Sequence, residues 1–210
     1  MVGQRYSRTG LLDRSVQQRD ARLFILATEG AVTEPQYFRG LQERDIVDRL
    51  RVKIEVIPTP LDAGTSAPRY VLDRLSEVAS QYNLIADDEL WLIIDADRVW
   101  ERHLPQVTRE AFQKGFFVAV SRPCFELWLL LHVSDDVTSI STCADCSRAL
   151  RIQLGRYNKS NLDMDHFPRS AVLDAIRRAS ALDPGGDRWP QSTGAHVYQL
   201  ASRLLGTAGS

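Results

Sequence analysis

Lysine and cysteine are both scarce in this chain of 210 residues, and the shortage of cysteine narrows what the protein can be. Its three cysteines, Cys124, Cys143 and Cys146, are too few and too unevenly placed for a secreted disulfide framework, which agrees with a reducing compartment. No apolar run approaches the ~20 residues that a membrane helix needs. The polar, Arg-bearing N-terminal stretch lacks the apolar centre of a signal peptide, so a cytoplasmic protein without membrane contact is expected. Charge of one sign is missing too: the formal net charge of -1 excludes a globally basic surface that would grip nucleic acid non-specifically. Any polyanion must be met locally or through a metal. Arginine carries most of the positive charge; its planar fork suits phosphate, although genomic base composition explains the excess equally well. Neither a P-loop nor a Gly-rich phosphate cradle is present, which leaves a nucleotide phosphotransferase without support. Internal repeats and low-complexity blocks are also absent.

What remains is ample for a core. Hydrophobic residues make up 44% of the chain, and the length favours one domain with a small appendage. Residues 1–20, with Arg5, Arg8, Arg14 and Arg19, read as a basic arm. The run Leu23 to Ala27 is apolar on both alternating faces, as an interior strand of a parallel sheet should be. "TEPQYFRGLQERDIVDRL" then predicts a helix opening near Pro35 and extending through Leu50. "VKIEVIP" alternates as a strand nearer a sheet edge, and a helix follows from about Ala67 to Tyr82. "ELWLIIDAD" is the strongest strand. A helix up to Gly115 and the strand "FFVAVS" continue the alternation, which indicates a three-layer α/β sheet of mainly parallel strands. The apolar "PCFELWLLLHV" is long enough for a buried helix. Beyond it, "CADCSRALRIQL", "SAVLDAIRRASAL" and "HVYQLASRLLG" read as helices packed around one end of the sheet. The expected division is a core over 21–135 and a helical extension over 136–205, ending in a frayed tail.

The acids of interest stand at strand ends. In open α/β sheets ligands gather outside the carboxyl ends of the parallel strands. Asp95 and Asp97, two residues apart, would face the same way if the strand runs through them, within reach of one divalent cation. Glu29 ends an earlier strand in the same manner, with Gly30 letting the chain turn away. Should the two strands be neighbours, three carboxylates converge, and their repulsion raises their pKa values unless a cation compensates. Hard oxygen ligands point to Mg2+ or Mn2+, which keep waters and leave room for a substrate phosphate. Such a cation could polarise a phosphodiester or lower the pKa of bound water, with Glu29 as base or further ligand. An Asp at a strand end can also simply cap the next helix.

Three segments, "TEGAVTEPQYFRGL", "IIDADRVW" and "SRPCFELWLLLH", resemble in order and wording the RloB-like proteins, whose core is similar to the Toprim (Rossmann-like) fold. The resemblance runs from about Leu23 to "STGAHVYQLA". It implies a metal-dependent nuclease, cutting DNA or RNA, with Glu29, Asp95 and Asp97 as its catalytic and metal-binding acids. It also implies a role in prokaryotic anti-phage or restriction-linked defence, with an ABC-type ATPase as a partner. Arg122 departs from the pattern, which leads one to expect Asn before Pro123. The rival reading is a non-catalytic binding subunit of such a complex, and a homo-oligomer stays open.

Other residues carry two readings each. Glu34 can meet the positive end of the helix it opens or support the metal. Glu126, an acid in an apolar helix, needs a partner. That partner is either a buried salt bridge or, by resemblance to overcoming-lysogenization nucleases with their extra acids, a second metal with a catalytic role. Arg122, Arg156 and Lys159 could contact nucleic-acid phosphate, and Lys159 could steady a leaving oxygen; solvation is the plainer alternative for a loop lysine. Cys143 and Cys146 form a Cys-x-x-Cys that lacks two further zinc ligands in paired spacing and follows a polar loop rather than a strand. His132 ends an apolar helix, where a cation would meet the dipole. Trp91, Trp100, Trp128 and Trp189 read as core or rim packing.

Overall fold

The computed structural model describes residues 21–60, 67–96 and 102–207. The basic arm over residues 1–20, Asp97, Trp100 and most of the C-terminal tail lie outside them. Four strands run parallel: β1 (Arg22–Thr28), β2 (Val52–Ile57), β3 (Glu89–Asp95) and β4 (Phe117–Arg122). A short fifth, β5 (Gly194–Ala195), pairs antiparallel with the end of β4. Their order across the sheet is β2-β1-β3-β4-β5, which makes β1 and β3 central neighbours. The apolar runs on these two strands follow from that position, because both of their faces are covered. β2 lies at the edge, and its alternation of buried Val52 with exposed Lys53 fits the place.

Side chains alternate across a strand, so the sheet feeds two cores. On one face Ile25, Leu92 and Val120 pack against Leu72 and Leu75 of α2 (Pro68–Ala79) and Val107 of α3 (Leu104–Gln113), which together cover that side. The helix α1 (Thr33–Glu43) brings Tyr37, Phe38 and Leu41 to Phe24, Leu26, Trp91 and Ile93 on the other. The short α4 (Glu126–Leu130), α5 (Cys143–Leu154), α6 (Arg169–Ala181) and α7 (Val197–Leu205) complete this second layer. Leu150, Val172 and Leu200 belong to the same buried cluster as Phe24 and Phe38, so the C-terminal helices share one core with the sheet. The result is an α/β fold with a mostly parallel sheet flanked by helices. Among the described residues no helix is long and apolar enough to cross a membrane.

Three expectations need correction. The first helix stops at Glu43 rather than Leu50: Asp45 takes a φ of 53°, and the amides of Ile46 and Val47 turn back to the Leu41 carbonyl. Ile46 and Val47 are buried under that turn, which is why they mimic a helical stripe in sequence. The segment "PCFELWLLLHV" forms only the five-residue α4, because the chain turns at Leu131 to Val133. Arg178 of α6 donates to the Leu131 carbonyl at 2.8 Å and thereby serves a backbone group that a longer helix would have used. The strand β5 carries no periodicity of its own and was not expected. In contrast, the polar loop before Cys143 has a structural purpose. Thr142 accepts from the Asp145 amide at 3.2 Å while the Asp145 carboxylate accepts from the Thr142 amide at 3.0 Å, which closes a capping box on α5.

Since the C-terminal helices share the core of the sheet, Leu200→Ala should destabilise the chain as a whole. Truncating this fully buried side chain is expected to cost about 2–5 kcal/mol. Urea unfolding followed in parallel by far-UV circular dichroism and tryptophan fluorescence should show one shifted transition; two separate transitions would mean that the helices unfold as an independent unit.

Candidate functional site

Adjacency of β1 and β3 decides where the acids meet. Thr28 lies in register with Ile93, and the chain continues the ladder one step further, with the Glu29 amide donating to the Ile93 carbonyl at 2.9 Å. The Asp95 amide then donates to Oε2 of Glu29 at 3.0 Å. Glu34 enters from the first turn of α1, where its Oε1 accepts from the Gly30 amide at 2.9 Å. A Cβ at position 30 would overlap the Glu34 carboxylate. Gly30 is not among the glycines of positive φ, so its value here is space for Glu34 rather than the freedom to turn. Glu34 lies in the first turn of α1, at the positive end of the helix, while the N-cap residue Val32 offers no side-chain cap.

The fourth acid, Glu126, opens α4 just beyond β4 and is only 5% exposed. Its partner is Lys159, whose Nζ lies 2.6 Å from Oε1, and the Tyr157 hydroxyl donates to the same oxygen at 3.5 Å. Both residues sit on the loop after α5, which is fastened to α1. Thr33 Oγ1 donates to the Lys159 carbonyl at 3.2 Å, Gln36 Nε2 to the Ser160 carbonyl at 3.1 Å, and the Leu162 amide to Gln36 Oε1 at 2.7 Å.

Electrostatics divides the acids. Burial pushes the Asp95 carboxyl well above its ordinary value, and the charges of Glu34, Glu29 and Glu126 push the same way. Burial also raises Glu34, opposed in part by its backbone hydrogen bonds and by Lys159. For Glu126 burial acts upward, yet the bonds from Lys159 and the Cys124 thiol outweigh it and hold the group below the usual range. Lys159 is raised: burial works against its charge, but the Glu126 bond prevails. The sheet end therefore holds one compensated acid and two acids whose proton affinity is raised.

The remaining candidates are placed as follows. Arg122 donates through Nε to the Pro190 carbonyl at 2.9 Å and so ties β4 to the segment before β5. Arg156 pairs with Asp163 at 3.4 Å. Cys143 and Cys146 are free thiols. Cys143 is pushed up by its hydrogen bond to Cys124 and by burial, the reverse of what a reactive thiolate needs. His132 is not a charged cap. Its Nδ1 donates to the Trp128 carbonyl at 2.9 Å, which leaves Nε2 to accept from the Tyr37 hydroxyl at 3.0 Å. Burial first, with the Arg178 charge adding to it, lowers its pKa to about 4 against the opposing backbone bonds. Two residues were missed. Ser121 is in register with Asp95, and its fully buried hydroxyl has no hydrogen-bond partner among the described residues. Tyr157 reaches Glu126 from a loop. Only the strand register could have singled out Ser121, and no sequence signal marks Tyr157.

Among the described residues no three His, Cys, Asp or Glu side chains are arranged to hold a metal ion, and Asp97 lies outside those residues. The donor chemistry nevertheless fits a hard divalent cation. Every acid offers oxygen, and the repulsion that raises Asp95 is what a nearby positive charge would relieve. The family model described as RloB-like protein matches residues 24–204. No curated protein matches the chain, and no solved structure does.

The buried imidazole makes stability depend on pH. A base whose pKa falls from 6.5 to about 4 on folding contributes stability that is complete above pH 6.5 and is lost as pH falls toward 4. The loss across that window is about 3 kcal/mol. Urea unfolding of the wild type and His132→Gln at pH 7 and pH 4.5 should show a shallower pH dependence in the variant; parallel slopes would place the pH sensitivity elsewhere.

Proposed function

The chain belongs to the RloB-like protein family, and on that premise we propose that it is a metal-dependent nuclease serving prokaryotic defence against phage. The substrate class is DNA or RNA and the reaction phosphodiester hydrolysis. The observation that supports this reading most is the meeting of Glu29, Glu34, Asp95 and Glu126 at the carboxyl end of a parallel sheet, with one lysine among them. Open α/β sheets bind their ligands at that end. The defence role and an ABC-type ATPase partner rest on the family resemblance.

Glu29, Asp95 and Glu126, with Asp97, are the residues that would hold Mg2+ or Mn2+, which would supply charge to the phosphate and acidify a bound water. The chain's own groups have separate tasks. Lys159 can exchange its bond with Glu126 for one with a phosphate oxygen, where an ammonium offsets charge that develops on the leaving group. Glu34 fixes the turn that carries Glu29, through the Gly30 amide. Asp95 and Glu126 differ in proton affinity within one cluster, the kind of separation that lets one carboxyl give a proton while another stays ionised. The orphaned Ser121 hydroxyl beside Asp95 can donate to that carboxylate or to a substrate oxygen.

Incubation of the purified chain with Mn2+ or Mg2+ and single- and double-stranded DNA and RNA tests the reading. Asp95→Ala and Glu126→Gln should each lower cleavage by at least about a hundredfold, with Arg51→Ala as an unaffected control. Cleavage that survives Asp95→Ala would remove the site assignment. Nucleic acid bound yet never cut, with or without an ATPase partner, would favour the non-catalytic subunit.

A further inference from the structure

We propose that the cleft between the C-terminal end of α1 and residues 154–167 seats the single-stranded stretch of nucleic acid next to the bond to be cut; this rests on the nuclease reading of the adjoining acids. The cleft has a volume of about 540 Å³, room for a nucleotide-sized group. Arg44, Arg156 and His166 line it together with the amides of Asn158 and Asn161. Guanidinium groups suit phosphate and side-chain amides suit base edges.

The arginines are held in a way that a phosphate can undo. Arg44 pairs with Asp165 at 2.8 Å and Arg156 with Asp163 at 3.4 Å, and the two guanidinium side chains are 55% and 85% exposed. Exposed ion pairs of this kind contribute little, so exchanging a carboxylate partner for a phosphate costs little as well. Glu43 and Asp163 also line the cleft, which keeps it from being a general polyanion trap and limits it to a strand that offers its charges at the right places.

Continuity with the acids comes from one loop. Tyr157 lines the cleft and directs its hydroxyl to Glu126, while Lys159, two residues further, pairs with the same carboxylate. A strand with one phosphate at Lys159 thus has its next residue beside Tyr157, an aromatic face on which a base can stack. The bases of a duplex are stacked inward and cannot enter a recess, whereas a splayed single strand can.

The experiment is fluorescence anisotropy of the full chain with labelled short oligonucleotides of DNA and RNA, single-stranded and duplex, in EDTA over a range of salt. Arg44→Glu and Arg156→Glu should each weaken single-strand binding about tenfold or more and flatten its salt dependence, by roughly 0.7 in log-log slope per lost phosphate contact. Tyr157→Ala should weaken binding with an unchanged slope. Arg51→Glu, 85% exposed on the turn before β2 and not among the residues that line the cleft, should change nothing. Charge reversals in the cleft that behave like Arg51→Glu would overturn the proposal, as would duplex bound as tightly as single strands, or no binding at all. Repeating the titration with Asp95→Ala separates the two readings: a chain that never cuts can still bind through the cleft, and one that cuts can still bind without it.

Discussion

The Asp95 amide donates to the Glu29 carboxylate across the β1–β3 ladder, and this bond joins two acids that are 66 residues apart in sequence. It exists only because β3 lies directly beside β1, with Thr28 in register with Ile93. A sheet in sequence order would place β2 between them and part the acids. The apolar runs Leu23–Ala27 and Leu90–Ile94 are what make the two strands central, since strands so hydrophobic on both faces must be covered on both. Burial of the sheet and assembly of the site are thus one event. The packing of α1 extends it, for Tyr37, Phe38 and Leu41 seat that helix on the sheet and so deliver Glu34 to the Gly30 amide.

Crowding acids in a half-dry site is costly unless something offsets the repulsion. Lys159 compensates Glu126, and the loop that carries it is pinned to α1 by Thr33 and Gln36. Asp95 receives no such help and is pushed well upward in consequence. The imbalance gives the cluster direction: the ammonium stands at Glu126, and the carboxyl pushed furthest upward is Asp95.

How much of this was legible in sequence depends on the range of the interaction. The α/β class, the edge position of β2 and the strand-end location of Glu29 and Asp95 follow from patterns a few residues long, and those are visible in "LFILATEG" and "ELWLIID". Helix lengths were harder. Ile46 and Val47 are buried by a reversal at Asp45 that imitates helical spacing, and the "FELWLLLH" segment is enclosed on every side, so its hydrophobicity says nothing of where it turns. Least legible were the contacts made across the fold. The bond of Tyr157 to Glu126 and the orphaned Ser121 hydroxyl both depend on where distant elements come to rest. Gly30 is a local case: sequence marks it as a hinge, but the space it leaves for Glu34 is what the structure uses.

A net charge of -1 sets the terms on which this chain can meet a polyanion. Long-range attraction is weak, so recognition has to come from a few cations held where they count. Two of them share one segment: Arg156 and Lys159 stand three residues apart, Arg156 lining the cleft and Lys159 paired with Glu126, with Tyr157 between. Each is engaged by a carboxylate, Asp163 for Arg156 and Glu126 for Lys159. These pairs lower the attraction for stray anions and leave the cations in position for one that fits both. Selectivity would then come from geometry rather than from charge excess, because a ligand has to replace two carboxylates at a fixed separation to gain from either.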